Sequence, residues 1–450
     1  MAASHVYALL RVLQLVRPAF TEPSFLRFLV LFAGWVCSGG THAVTEALVA
    51  AGVSGVQHHA AFHRFFSRTR WSADEVGRLL LLKLAALGPV RLVLDDTLCS
   101  HKGPKVFGLG CHLDAVRSTR AMRVFCFGHV WVTLAVLVHV PFAARPWALP
   151  VLFRLYRTQA ECQKRGILHR KKTQLGRELV ERALSWLPTG PLELAADEAY
   201  SCSTLLKGLP QRLVFVGAMR PDAVLTRPRV HRCRSPKTGR WLTRDVPVPK
   251  PEALARDSAL PWMRLTAQLY GRSQQVDYKE VVARWRSAAG ERMLKVVVVR
   301  MTSGSRPLRV FFCTAPSLSA LEVVERYAFR WSIEVLFRDL KQLLGFADSR
   351  ARRRLAVLRT APFAGLSYTL LVLWYMELTA NWQQLRVPLR PWYTTKTSVS
   401  FADVLRLAQS SLARVRWHSS RRLRANLRAA SRASPAQERA AWTAALSPSP

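Results

Sequence analysis

Tyr327, Arg330, Glu334 and Lys341 stand at offsets −7, −4, 0 and +7 around one acid. At about 100° per residue these four fall within about 60° of one another on a helix. One acid, two bases and a phenol then share a face. Far upstream, two acidic pairs follow short apolar runs: Asp95-Asp96 after residues 90–94, and Asp197-Glu198 after residues 192–196. A carboxylate at the end of a buried strand is costly unless something binds it. Three such acids can hold two Mg²⁺ ions, roughly 4 Å apart, with Mn²⁺ as a substitute; one ion activates water or a 3′-hydroxyl and the other stabilises the leaving oxygen of a phosphodiester. Carboxylate oxygens are the hard donors those ions require. The bases beside Glu334 would grip DNA phosphates. The competing reading of the helix is a solvated ion-pair face, with Arg330, Glu334 and Arg338 as i, i+4 partners. The excess of bases over acid on that face speaks against it.

The elements that must carry these residues follow from local pattern. Residues 327–345 read as one helix, with Ile333, Phe337, Leu340 and Leu344 as its buried stripe and Gly345 as its stop. Residues 90–94, 131–140, 148–155 and 192–196 read as strands, and 165–186 as a helix. The order is strand with acid, strand, strand, helix, strand with acid, and a later helix with acid. That is the order of a ribonuclease-H-like domain. Strands at 212–218, 294–301 and 308–313, around a basic Pro- and Ser-rich stretch at 227–250, fill the long interval before Glu334. They read as an inserted β-rich subdomain over about 205–320.

The expected architecture is therefore α/β: a ribonuclease-H-like catalytic domain over 86–380 with its β-rich insertion. A helical domain over 1–85 precedes it and a basic helical region or tail over 381–450 follows. Within the first part, His58, His59, Phe62, His63, Arg64, Phe65 and Phe66 mix bases with aromatics. Both a small DNA-binding domain and a helical cap of packed aromatics fit that mixture.

Charge narrows the partner. Lys and Arg number 67 against 28 Asp and Glu, a formal net charge of +39 in 450 residues. The excess runs along most of the chain and calls for a polyanion, nucleic acid before anionic membrane. The 8 cysteines are scattered without zinc spacing, as expected of a reducing compartment. The start has no charged region followed by a cleavage site. The apolar stretch 360–376 holds Pro362 and Gly365 and reads as a buried core helix, so no membrane partner is expected.

The signature Tyr-x2-Arg-x3-Glu-x6-Lys is complete in Tyr327, Arg330, Glu334 and Lys341. In this the chain resembles insertion-sequence DDE transposases of the IS-four group and their relatives. Asp95-Asp96-Thr97 matches the Asp-x-Thr pattern of that family's first acid, Asp197 matches its second, and the family carries a β insertion before the Glu. The resemblance covers roughly residues 55–380. It implies cut-and-paste transposition by a homodimer on double-stranded DNA: binding of terminal inverted repeats, nicking, hairpin formation and joining to target DNA. Asp95, Asp197 and Glu334 would be the catalytic, metal-binding acids, and Tyr327, Arg330 and Lys341 DNA contacts. Hairpin-forming relatives hold a flipped base with an aromatic side chain, for which Trp241 is the candidate. A cytoplasmic, nucleoid-associated prokaryotic protein is expected. The Asp-x-Thr spacing favours Asp95 over Asp96; if the strand runs through both, alternation puts them on opposite faces. A catalytically inactive DNA-binding relative and a simple Mg²⁺-dependent nuclease are the alternatives.

Overall fold

The computed structural model describes residues 2–103, 105–229, 245–301, 308–379, 389, 391–392, 394–413, 415 and 417. Trp241 and most of the Arg-rich stretch after 413 lie outside the described residues. The chain opens with helices α1 (Ala2–Gln14), α2 (Glu22–Cys37), α3 (Val44–Ala50), α4 (Ala60–Ser67) and α5 (Ala73–Ala85). Strands β1 (Val90–Ser100), β2 (Gly110–Leu113), β3 (Phe125–Val138) and β4 (Trp147–Tyr156) follow. Then come α6 (Gln159–Lys164), α7 (Lys172–Trp186), β5 (Leu192–Ala196), α8 (Ser203–Leu206) and β6 (Leu213–Ala218). Next are β7 (Leu225–Arg227), β8 (Val246–Val248), α9 (Pro251–Arg256), β9 (Met263–Leu269), β10 (Arg272–Arg284), α10 (Arg286–Ala289), β11 (Met293–Met301) and β12 (Arg309–Cys313). The last elements are α11 (Ala320–Phe329), α12 (Ser332–Leu343), α13 (Arg354–Leu378) and α14 (Phe401–Leu412).

These strands form one mixed sheet in the order β2-β3-β1-β5-β6-β12-β11-β10-β7-β8, with β4 along β3 and β9 along β10. β1 runs antiparallel to β3 and parallel to β5, and β5 is parallel to β6. The strands expected as an inserted subdomain do not build a sheet of their own. β12 pairs antiparallel with β6 and carries the sheet onward into β11 and β10. From Val130 to Val138, β3 is buried throughout, because α5 and α7 cover one face of this half of the sheet and α12 and α13 the other. Pro150 is accommodated in β4, whose other edge is unpaired at that point, opposite a register shift at Leu134/Ala135.

Two elements differ from the local pattern in ways that matter for the site. β1 does not stop at Leu94; it continues to Ser100, with Asp95 opposite Thr133 and Asp96 opposite Val132 of β3. Its parallel pairing with β5 ends at Leu94↔Ala196. The acids therefore sit in mid-strand, just beyond the end of the neighbouring strand, where one edge of the backbone is released. The expected single helix over 327–345 is split into α11 and α12 at Arg330-Trp331. The N–H groups of Arg330, Trp331, Ile333 and Glu334 donate three residues back, to Tyr327, Ala328, Arg330 and Trp331, a tightened turn inside otherwise helical backbone. Ile333, Phe337, Leu340 and Leu344 are buried as the periodicity requires. Gly345, at φ +58°, turns the chain where a side chain would strain.

The first five helices share the main core. Phe20 stacks on Phe28 at 4.9 Å, Phe65 on Trp71 at 4.9 Å, and Phe66 meets Phe363 of α13 edge-on at 5.3 Å. α13 has the length and composition of a membrane span, but 83% of its apolar window is buried inside the protein, as a core helix. α14 forms within the segment expected as a tail and packs on α2 and α13.

Candidate active site

Asp95 projects from β1 towards the α11–α12 junction. Its Oδ2 accepts from the Arg330 guanidinium at 2.9 Å, and its Oδ1 from the backbone N–H of Asp96 at 2.8 Å. The other arm of the same guanidinium donates to Glu334 Oε1 at 2.9 Å. Glu334 stands in the first turn of α12, one tightened turn after Arg330, so the break in the helix sets that fork. Asp197 directly follows β5 and caps the turn Glu198–Tyr200, its Oδ1 accepting from the Tyr200 N–H at 3.2 Å. Ser201 Oγ donates to its carbonyl at 3.1 Å. Tyr327 lies one turn before Arg330 with the guanidinium carbon 5.5 Å from its ring centre, and its ring packs against Phe311 at 4.4 Å between centres.

Burial pushes the Asp95 carboxyl up to about 7, and the charge of Asp197 pushes the same way against the opposing pull of Arg330. Burial also raises Asp197, with Arg330 and the Tyr200 N–H opposing. The Tyr327 phenol is raised by burial. Two buried carboxylates raised above their ordinary range beside one guanidinium, with Asp197 adding to the rise of Asp95 and Asp96 to that of Asp197, mark a deficit of positive charge. Arg330 is only 13% exposed in its side chain, and its Nε is buried with no partner among the described residues. It is thus not the spare base that a helix-face count suggests; both arms are engaged by acids.

Asp96 points to the opposite face. Its Oδ1 accepts from the Tyr200 hydroxyl at 2.9 Å and its Oδ2 from Lys172 Nζ at 2.7 Å. Gly176 of α7 makes room for this arrangement: a Cβ there would meet Leu94 at 2.8 Å and the Tyr200 ring at 3.0 Å. Tyr200 links the two acids, since its hydroxyl holds Asp96 while its N–H holds Asp197. Neither Tyr200 nor Lys172 stood out in the sequence. The only trace was the base-rich stretch 169–172 that leads into α7, which carries no spacing relation to Asp96.

The structure brings Asp95, Asp197, Glu334, Arg330 and Tyr327 together. Lys341 lies further along α12, where its charge bears on Cys99, four residues down β1 from Asp95. Among the described residues no three His, Cys, Asp or Glu side chains converge on a single ion-binding point, because the guanidinium stands between Asp95 and Glu334. The donor set still suits a hard divalent cation: the acids offer only carboxylate oxygens, and burial raises both Asp95 and Asp197, with the charge of Asp197 adding to the rise at Asp95.

Residues 16–279 match the DDE superfamily endonuclease family, more than half of the chain. The chain belongs to that family. The matched stretch includes Asp95 and Asp197 and ends before Glu334. Members of the DDE endonuclease superfamily generally use divalent metal ions. No curated protein matches the chain. Among solved structures it is similar to the piggyBac transposase in a cryo-EM synaptic complex with hairpin DNA, at 12% identity and a TM-score of 0.42, covering 91% of this chain and 76% of that one.

Proposed function

We propose that this DDE endonuclease is a DNA transposase of the cut-and-paste type, with Asp95, Asp197 and Glu334 as its catalytic carboxylates. The observation that carries the reading is the Arg330 fork. It ties an acid of β1 to an acid of α12 at 2.9 Å each, beside the acid that follows β5. The strand order β4-β3-β1-β5-β6, with two parallel pairs at β1-β5-β6, supports a ribonuclease-H-like catalytic core within 86–380. The helices of 1–85 precede it and the basic C-terminal region of 381–450 follows. The complete Tyr327, Arg330, Glu334 and Lys341 signature supports a place near the IS-four group.

Asp95, Asp197 and Glu334 would hold the divalent ions, Mg²⁺ first. When bound, such ions would activate the attacking oxygen and stabilise the leaving one. The remaining work falls to the chain. Tyr200 fixes Asp197 through its N–H and Asp96 through its hydroxyl, locking β1 to the turn after β5. Arg330 keeps Glu334 turned towards Asp95, and the Tyr327 ring supports the guanidinium. Lys341 and the wider basic surface take DNA phosphates. The expected partners are double-stranded DNA, as terminal inverted repeats and target, and a second copy of the chain on that DNA. A cytoplasmic, nucleoid-associated setting fits the scattered free thiols.

The test is a plasmid nicking and strand-transfer assay with Mg²⁺, comparing wild type with Glu334→Gln. Metal-dependent nicking plus joining of a 3′-hydroxyl end, both absent from the variant, is the expected result. Nicking without joining would leave a metal-dependent endonuclease, which the family description covers equally. Wild-type rates in Glu334→Gln would overturn the assignment.

A further inference from the structure

A second basic site lies away from the acids. A cavity of about 510 Å³ opens between α4, the loop leading into α3, and the loop joining α12 to α13. Arg64 of α4 and Arg68, which caps the end of that helix, line it about one turn apart. Arg350, Arg352 and Arg353 line it from the opposite loop, and no acidic side chain does. All five arginines are exposed, and among the described residues none of them is in a salt bridge. Five guanidiniums around one concavity repel one another and gain only when an anion enters.

The walls are fixed in place. Arg359 of α13 donates to the carbonyls of Thr69 at 2.8 Å and Trp71 at 2.5 Å just beyond α4, and the Arg352 carbonyl accepts from the Phe107 N–H at 3.1 Å. Trp35 and Phe66 give the cavity an apolar floor, with the Trp35 indole N–H bonded to the Leu344 carbonyl at 2.9 Å. His42, also in the lining and 6% exposed, is held against Asp348, with its Nδ1 at 3.4 Å and its backbone N–H at 3.2 Å from the carboxylate.

We infer that this cavity is a DNA-backbone clamp. It takes phosphodiester groups of the same duplex that the acid cluster cuts, and so rests on the functional reading above. Arginine forks match phosphate oxygens two at a time, and such pairings set position without reading sequence. Lys341 and Asp348 both bear on Cys99 of β1, and Asp348 bonds His42 at the cavity. The clamp joins α4 to the entry of α13, so DNA binding here is composite rather than the property of a separate N-terminal domain.

The experiment follows binding of a fluorescein-labelled duplex across a KCl titration without divalent metal. The proteins are wild type, a cavity triple variant (Arg64→Gln, Arg350→Gln, Arg353→Gln) and a charge-matched control (Arg120→Gln, Arg123→Gln, Arg256→Gln). The cavity triple should lower the slope of log Kd against log salt by nearly three, about 0.9 for each phosphate no longer neutralised, while the control stays close to wild type. Equal loss in both triples would reduce the cavity to general surface charge and overturn the inference. If the cavity triple fails to fold by circular dichroism, Arg68→Gln alone should lower the slope by about 0.9, and no change would overturn it. Inorganic phosphate is titrated in parallel. If the triple loses phosphate binding but keeps wild-type duplex binding, the ligand is a free phosphate compound and the DNA assignment fails. Duplex binding that depends on the cavity, in a protein that never nicks DNA, would sink the transposase reading while sparing the clamp.

Discussion

Asp95 and Asp96 are neighbours on one strand, yet the two faces of β1 treat them in opposite ways. On the α7 face, Asp96 is saturated by a hydroxyl and an ammonium, Tyr200 at 2.9 Å and Lys172 at 2.7 Å. On the α12 face, Asp95 shares one guanidinium with Glu334 and is pushed up to about 7 by burial and by Asp197. The first environment completes a carboxylate; the second leaves a group of carboxylates short of positive charge. The contrast separates an acid whose hydrogen-bonding capacity is filled from one in a cluster short of positive charge, although both are part-buried and have the same side chain.

The comparison is tested most severely by removing charge on each face. Asp95→Asn, Asp197→Asn and Glu334→Gln should each lower Mg²⁺-dependent nicking by at least about 10³-fold, the scale of an essential catalytic group. Asp96→Asn should lower it by about 10–100-fold, as expected for a residue that positions another. Equal loss at Asp95 and Asp96 would erase the distinction between the faces.

Stability should move in opposite directions. The Asp95 carboxyl is raised in the folded protein, so its contribution is fully present below the ordinary carboxylate range and is lost as pH rises through about 7. In metal-free protein, Asp95→Asn should therefore unfold at a higher temperature than wild type at pH 8, with the gap closing as pH falls to 4. The difference should be on the order of a few kcal/mol, and Mg²⁺ should narrow it by stabilising wild type alone. Asp96→Asn should be destabilised by about 1–3 kcal/mol, having lost charged hydrogen-bond partners. Thermal denaturation across that pH range checks both signs; a less stable Asp95→Asn at pH 8 would contradict the charge deficit.

A smaller effect is expected at the fork. Arg330→Lys keeps the charge but cannot reach two carboxylates in one plane. It should lower the metal-free melting temperature and make that temperature depend more steeply on added Mg²⁺. Smallest of all, Lys341→Ala should lower the salt slope of duplex binding by about one and leave the melting temperature unchanged.

Much of this region was legible locally. The run 192–196 is β5, residue for residue, and the stripe of Ile333, Phe337, Leu340 and Leu344 is buried because a helix repeats its face every three or four residues. Alternation along a strand already required Asp95 and Asp96 to part. Other features were not legible. Nothing near residue 94 signals that β1 runs on to Ser100, because that extension depends on backbone partners in β3. The split at Arg330-Trp331 leaves no Gly or Pro as a mark. β9 and β10 are not legible locally, since polar and charged residues interrupt both and leave no apolar run of the kind that flags a buried strand.

The sequence by itself determined the acids, the bases spaced around Glu334, the +39 charge and the periodicities that make strands and helices, since each is a matter of neighbours within a few residues. Tertiary structure alone decided which acid of the pair meets Arg330 and that Arg330 is already engaged at both arms. It also decided that the strands after β6 prolong the main sheet and that Arg64 faces Arg350 across a cavity. Those outcomes join residues tens to hundreds of positions apart. Local sequence sets which way a side chain can point, but what stands opposite is fixed only when buried surfaces pack and their polar groups must find partners.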